Sequence, residues 1–99
     1  MSVIKYAIKI KNIDDTTDVK TLITSYVLNQ QKTKLSVFNT KPDEVVFFAR
    51  NNIVYDYVLF ISEIYQKAFF IIATSSGKNK NIIIVNNGEI LFDINERML

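Results

Sequence analysis

The side chains available for chemistry in this chain are ten carboxylates and twelve basic groups, because the sequence holds no histidine and no cysteine. The usual general base, thiol nucleophile and zinc ligands are therefore missing. Carboxylates working with a metal ion are the remaining catalytic option. Asp14, Asp15 and Asp18 suit a hard cation in a loop, but the same three acids suit the positive end of a helix, and the sequence favours that role. Asp56 and Glu63 stand two helical turns apart, which fits the solvated edge of a helix better than an acid–base pair. The stretch SSGKNKN at 75–81 lacks the GxxxxGK[ST] spacing of a phosphate loop and joins strand to strand. No enzymatic activity, cofactor or metal is expected.

Basic groups form the more coherent pattern. Lys5, Lys9 and Lys11 alternate with Ile4, Tyr6, Ile8 and Ile10, which places them on the non-core face of a first strand. A neighbouring strand at 44–50 brings Phe47 or Phe48 onto the same face. Lysines interleaved with an aromatic on an open sheet are how RNA-recognition modules stack bases. The glycine-containing signature of those modules is absent, and lysines on a wet strand face are also common solubilising devices. The net charge is only +2, so nucleic-acid contact would need this local patch.

The elements that must position these residues centre on 53–74, the most apolar part of the chain. Val54, Tyr57, Val58, Ile61, Ile64, Tyr65 and Ala68 recur at helical spacing. From Phe69 the run FFIIAT reads as a buried strand, ended by Ser75-Ser76-Gly77 and a polar loop. Upstream, Asp14–Thr17 supply turn and capping residues for a helix carrying Val19, Leu22, Ile23, Tyr26 and Val27 to about Gln31. A second strand is expected within 32–39. Residues 40–50 admit two readings. Thr40, Pro42 and Asp43-Glu44 suit a helix start, whereas Val45–Phe48 favour a strand after an NTKPDE turn, and the strand is preferred. Asn51 or Asn52 would cap the central helix. Asn87-Gly88 between two apolar runs predicts a tight hairpin pairing Asn86 with Glu89 and Val85 with Ile90. That register puts Ile83, Val85, Ile90 and Phe92 on one face, with Ile84 and Leu91 beside Asp93 on the other.

Ninety-nine residues, nearly half of them apolar, fit one ordered domain spanning 1–99. The element order predicts an α+β domain: a ferredoxin-like βαββαβ sheet with two helices on one face, plus a C-terminal β-hairpin. Charges interrupt the apolar stretch too often for a membrane span, and no signal peptide is evident, so a cytoplasmic location is expected. Tyr55, Phe60, Tyr65, Ile84 and Leu91 exceed what the inner face of one small sheet accommodates, which marks them as candidate interface residues. They predict a protein partner or a homo-oligomer.

The order of strand, helix, strand and apolar helix over Val3–Ala68, followed by ATSSGKNKNI, resembles the small TPRKB-like subunit of the KEOPS complex. The family's His-Leu pair falls at Val58-Leu59 here, and no site residue is carried over. The resemblance implies an accessory, tRNA-binding, non-catalytic subunit. The expected function is a small non-catalytic interaction module, with an RNA-binding or tRNA-modification accessory role on the basic face as the alternative.

Overall fold

The computed structural model describes residues 4–31, 37–49 and 53–97. Within them the chain runs β1 (Ile4–Lys11), α1 (Thr17–Gln31), β2 (Val37–Lys41), β3 (Glu44–Ala49), α2 (Ile53–Ile64), β4 (Phe69–Ser76), β5 (Asn79–Asn86) and β6 (Glu89–Arg97). The strands form one antiparallel sheet in the order β2-β3-β1-β4-β5-β6. The class is α+β, as expected. The final hairpin does not lie over the sheet: β5 pairs with β4 and lengthens the sheet in its own plane.

The period-two pattern of β1 explains the layering. Tyr6, Ile8 and Ile10 are buried, while Lys5, Lys9 and Lys11 are exposed. Register carries this division across the sheet. Ile8 faces Val45 on one side and Ile72 on the other, and Ile72 faces Ile83. All four belong to one core cluster that also contains Val19, Ile23 and Val27 of α1 and Val54, Val58 and Ile61 of α2. Both helices therefore cover the same face of the sheet. Each of the larger side chains in this core stabilises the fold by roughly 1.5–3 kcal/mol through burial. Between the helices, Tyr26 stacks on Tyr57 with ring centroids 4.0 Å apart.

Four local features differ from the sequence-based expectation or resolve it. Residues 44–49 form a strand, and Phe47 is a core residue stacked on Tyr6 at 5.0 Å, so it does not join the lysines. The central helix stops at Ile64, short of Ala68. Its exit is held by side chains: Asn86 Nδ2 donates to the carbonyls of Gln66 (3.0 Å) and Ala68 (2.9 Å), and Asn12 Nδ2 donates to that of Lys67 (2.8 Å). These bonds satisfy carbonyls that have no intrahelical partner at the helix exit. The segment 75–81 is mostly strand, with Ser75 paired to Lys80 and Ser76 to Asn79 around a Gly77-Lys78 turn. Gly77 has φ +58°, the conformation a tight hairpin needs at its first central position. The expected caps Asn51 and Asn52, and most of the expected strand within 32–39, lie outside the described residues.

The Asn87-Gly88 hairpin has the expected closing pairs, Asn86 with Glu89 and Val85 with Ile90, and both turn residues have positive φ. Beyond Ile90 the register departs from expectation. A bulge places two steps of β6 against one step of β5, so Ile84 faces Phe92 and Ile83 faces Asp93. Leu91 is therefore the extra residue and does not oppose Ile84. Phe92 moves to the face of Ile84, away from Ile83 and Val85. The inner face of β5 is also not left to a partner, because Ile83 and Val85 are buried in the same core as α2.

Candidate functional site

The sheet face opposite the helices carries a definite chemical pattern, and the register sets its rows. One row reads Phe48, Lys5, Ser75, Lys80 from β3 to β5, with Glu96 at the next position on β6. The second reads Val46, Ala7, Ala73, Ile82, Ile94. The third reads Glu44, Lys9, Ile71, Ile84, Phe92. The middle row is apolar across five strands. The third becomes apolar once it reaches β4. An antiparallel sheet open to water on one face ordinarily alternates apolar-in with polar-out. Here β4 and β5 are apolar on both faces, and β6 adds Phe92 and Ile94 to the open one.

Small side chains shape this surface. Ala7 and Ala73 floor a shallow cavity of about 320 Å³, walled by Ile82 and Ile94 on one side and by Lys5, Ser75 and Lys80 on the other. Lys5 and Lys80 flank Ser75 across two strand spacings, roughly 10 Å. The arrangement offers an apolar floor with a cationic rim, which suits docking of an apolar side chain whose neighbour is polar or acidic.

The lysines of β1 are unequal. Lys11 Nζ lies 2.9 Å from Asp43 Oδ2 in an exposed ion pair. That hydrogen bond, with the lysine's charge, holds the Asp43 carboxyl below the usual carboxylate range. Lys9 stands opposite Glu44 in the β1–β3 ladder. Lys5 stands opposite Phe48, as Lys11 stands opposite Phe69 on β4.

The expected interface residues are dispersed. Ile84 is half-buried on the open face, and Leu91 is exposed at the bulge near the sheet edge. Tyr55 and Tyr65 pack against the core from the helix layer; Tyr55 Oη donates to Thr74 Oγ1 at 3.4 Å, and burial raises its phenol pKa. Burial, reinforced by Tyr55, likewise pushes Tyr6 well above an ordinary phenol. Phe60 is exposed on α2 beside Tyr57, remote in the fold from the open sheet face. Ile71, Ile82, Phe92 and Ile94 complete the open face and were not singled out from sequence. The continuous apolar runs in FFIIAT and NIIIVN, which leave neither strand face polar, were the available signal for the first two.

The acidic cluster serves the start of α1. Asp15 Oδ1 accepts from the Thr17 amide at 2.9 Å, which lowers the Asp15 pKa. Thr16 Oγ1 donates to the Pro42 carbonyl, tying α1 to the β2–β3 turn. A hollow of about 440 Å³ lies here, but Lys20 Nζ and Thr21 Oγ1 on its wall already donate to the carbonyls of Lys41 and Thr17. Among the described residues no three carboxylates converge as a metal site requires. Asp56 and Glu63 are both exposed, as the edge of α2. No helix among the described residues is long and apolar enough to cross a membrane.

No family model matches the chain, and no curated protein or solved structure matches it.

Proposed function

We propose that this chain is a small protein-binding module that works without catalysis and docks its partner, a second protein or another copy of itself, on the open face of β4, β5 and β6. The observation carrying this reading is the uninterrupted apolar row Val46, Ala7, Ala73, Ile82, Ile94, which no element among the described residues covers. Contiguous apolar surface on a small domain is costly in water and marks interaction sites. The order β2-β3-β1-β4 supports a ferredoxin-like plan for the first six elements, with the β5–β6 hairpin added at one edge. The test is partner recovery by immobilised wild type and by the Ile82→Lys, Ile84→Lys variant. The folded variant should lose the recovered protein, and equal recovery by both would refute the reading.

A second reading rests on the neighbouring row. Lys5 and Phe48 are cross-strand neighbours, with Ser75 and Lys80 continuing the row. This set fits a single-stranded nucleic acid, with one base on Phe48 and phosphates along the lysines. Gel-shift titration at low salt tests it, and absence of binding there removes it.

A further inference from the structure

The open face is uneven in a way that fits itself. Ala7 on β1 and Ala73 on β4 floor its cavity, and Ile82 on β5 and Ile94 on β6 rise beside it, each 41% exposed. These four share one row of the register, in the order small, small, large, large. A half-turn reverses that order, so the raised pair of one copy matches the hollow pair of another. The next row runs Lys9, Ile71, Ile84 and Phe92 over the same strands. Its reversal sets Ile71 against Ile84 and lays Phe92 over the apolar stem of Lys9.

We infer that two copies of this chain stack the open faces of β1, β4, β5 and β6 about a two-fold axis that runs along the strands between β4 and β5. The inference rests on the binding-module reading and makes the partner a second copy. Ile82 and Ile94 of each copy then enter the hollow over Ala73 and Ala7 of the other. Lys80 meets Ser75, and Lys5 lies over the Glu96 position, so no like charges are opposed. Other axes oppose lysines, which is destabilising. An axis along β4 sets Lys5 against Lys80, and one across the strands through the middle row sets Lys5 against Lys9. The chosen axis also keeps the two sheets aligned, the packing of β-sandwiches. Area is sufficient. β1, β4 and β5 have eight residues each and β6 has nine. Four such strands present a face of roughly 19 by 26 Å. With the relief of its side chains, two such faces together bury about 1,200 Å², which reaches the range of specific interfaces.

Exchanging small and large residues tests the register. Ala7 and Ile94 stand three strand spacings apart within one chain, roughly 14 Å, so they meet only between copies. Ala7→Ile fills the hollow, and Ile94→Ala removes the knob. Each variant alone should raise the dimer dissociation constant by about tenfold or more, because the two-fold axis repeats each defect. An equimolar mixture should recover wild-type affinity in sedimentation, since the filled hollow of one variant receives the trimmed position of the other. A crosslink gives a second readout. The chain has no cysteine, so a single introduced thiol can join only another copy. Ser75→Cys lies beside the axis, roughly 11 Å from its copy and within reach of a short bismaleimide, whereas Phe48→Cys lies roughly 26 Å from its own. The first should crosslink and the second should not. If Ala7→Ile does not fold, this comparison decides. A mixture no tighter than its components overturns the inference, as does crosslinking through Phe48→Cys but not Ser75→Cys. A wild type that stays monomeric at every concentration overturns it too. The binding-module reading survives that result if the wild type recovers another protein that the Ile82→Lys, Ile84→Lys variant loses, and falls if both recover it equally.

Discussion

Replacing Ser62 by alanine tests how the final hairpin is fastened to the helix layer. Ser62 is fully buried on α2. Its Oγ accepts from the Gly88 amide at 2.7 Å and donates to the Leu59 carbonyl at 2.7 Å. Gly88 has φ +77°, and a Cβ there would lie 2.7 Å from the Glu63 side chain, so the turn is seated closely on the helix. Ser62→Ala removes the acceptor and leaves the Gly88 amide without it. A net hydrogen bond contributes about 1 kcal/mol, and an unsatisfied buried donor raises the loss to about 1–3 kcal/mol. Gly88 is only half-buried, so water partly compensates, and we expect about 1–2 kcal/mol. A domain this size unfolds with an entropy near 0.2 kcal/mol/K, so Tm should fall by about 5–10 °C. Asn86 still holds the carbonyls of Gln66 and Ala68, so the hairpin should loosen at its turn without detaching. Urea titration measures the loss, and amide exchange at Gly88 localises it. A change under about 0.5 kcal/mol, the range of neutral surface substitutions, would refute the reasoning.

Phe47→Ala should cost about 3–5 kcal/mol in urea denaturation, since it opens a cavity beneath Tyr6, whereas Phe48→Ala should cost less, because Phe48 is 37% exposed. Ile84→Lys with Leu91→Lys should reduce association seen by light scattering while circular dichroism stays native; unfolding would show these positions to be core. If RNA binds, replacing Lys5 and Lys80 should flatten the salt dependence of its affinity, and an unchanged slope would exclude that row. In acid, Asp43 has a folded pKa below its unfolded value, so its contribution with Lys11 is present above about pH 4 and lost as pH falls further. Lys11→Met should therefore reduce the loss of stability on acidification. In alkali the sign reverses, because burial raises Tyr6 and Tyr55. The unfolded chain ionises first, so stability should fall as pH rises past about 10, with phenolate absorbance showing these rings titrating late.

Much of the fold was legible because local physics set it. Strict alternation in β1, the acidic start of α1 and the Asn87-Gly88 turn each correspond to a conformational preference of a few adjacent residues. The strand at 44–49 was a closer choice, since Pro42 and the acids beside it suit a helix start. Candidate interface residues were legible only as a surplus of large apolar side chains. Which of them reach water was not, because that depends on what packs against each face.

The amino-acid order alone determined the α+β class, the lysine face of the first strand and the absence of imidazole and thiol chemistry. Tertiary structure decided the rest. It drew Asn86 and Asn12 onto the carbonyls after Ile64, ending the helix early through side chains distant in sequence. It extended the sheet through β5, so that α2 buries Ile83 and Val85. The bulge at Leu91 then turned Phe92 onto the open face beside Ile84. A strand's period of two makes a one-residue slip exchange its faces, and nothing local in Glu89–Asp93 announces that slip. The apolar face follows from this pairing register, which is set between strands and not within any one of them.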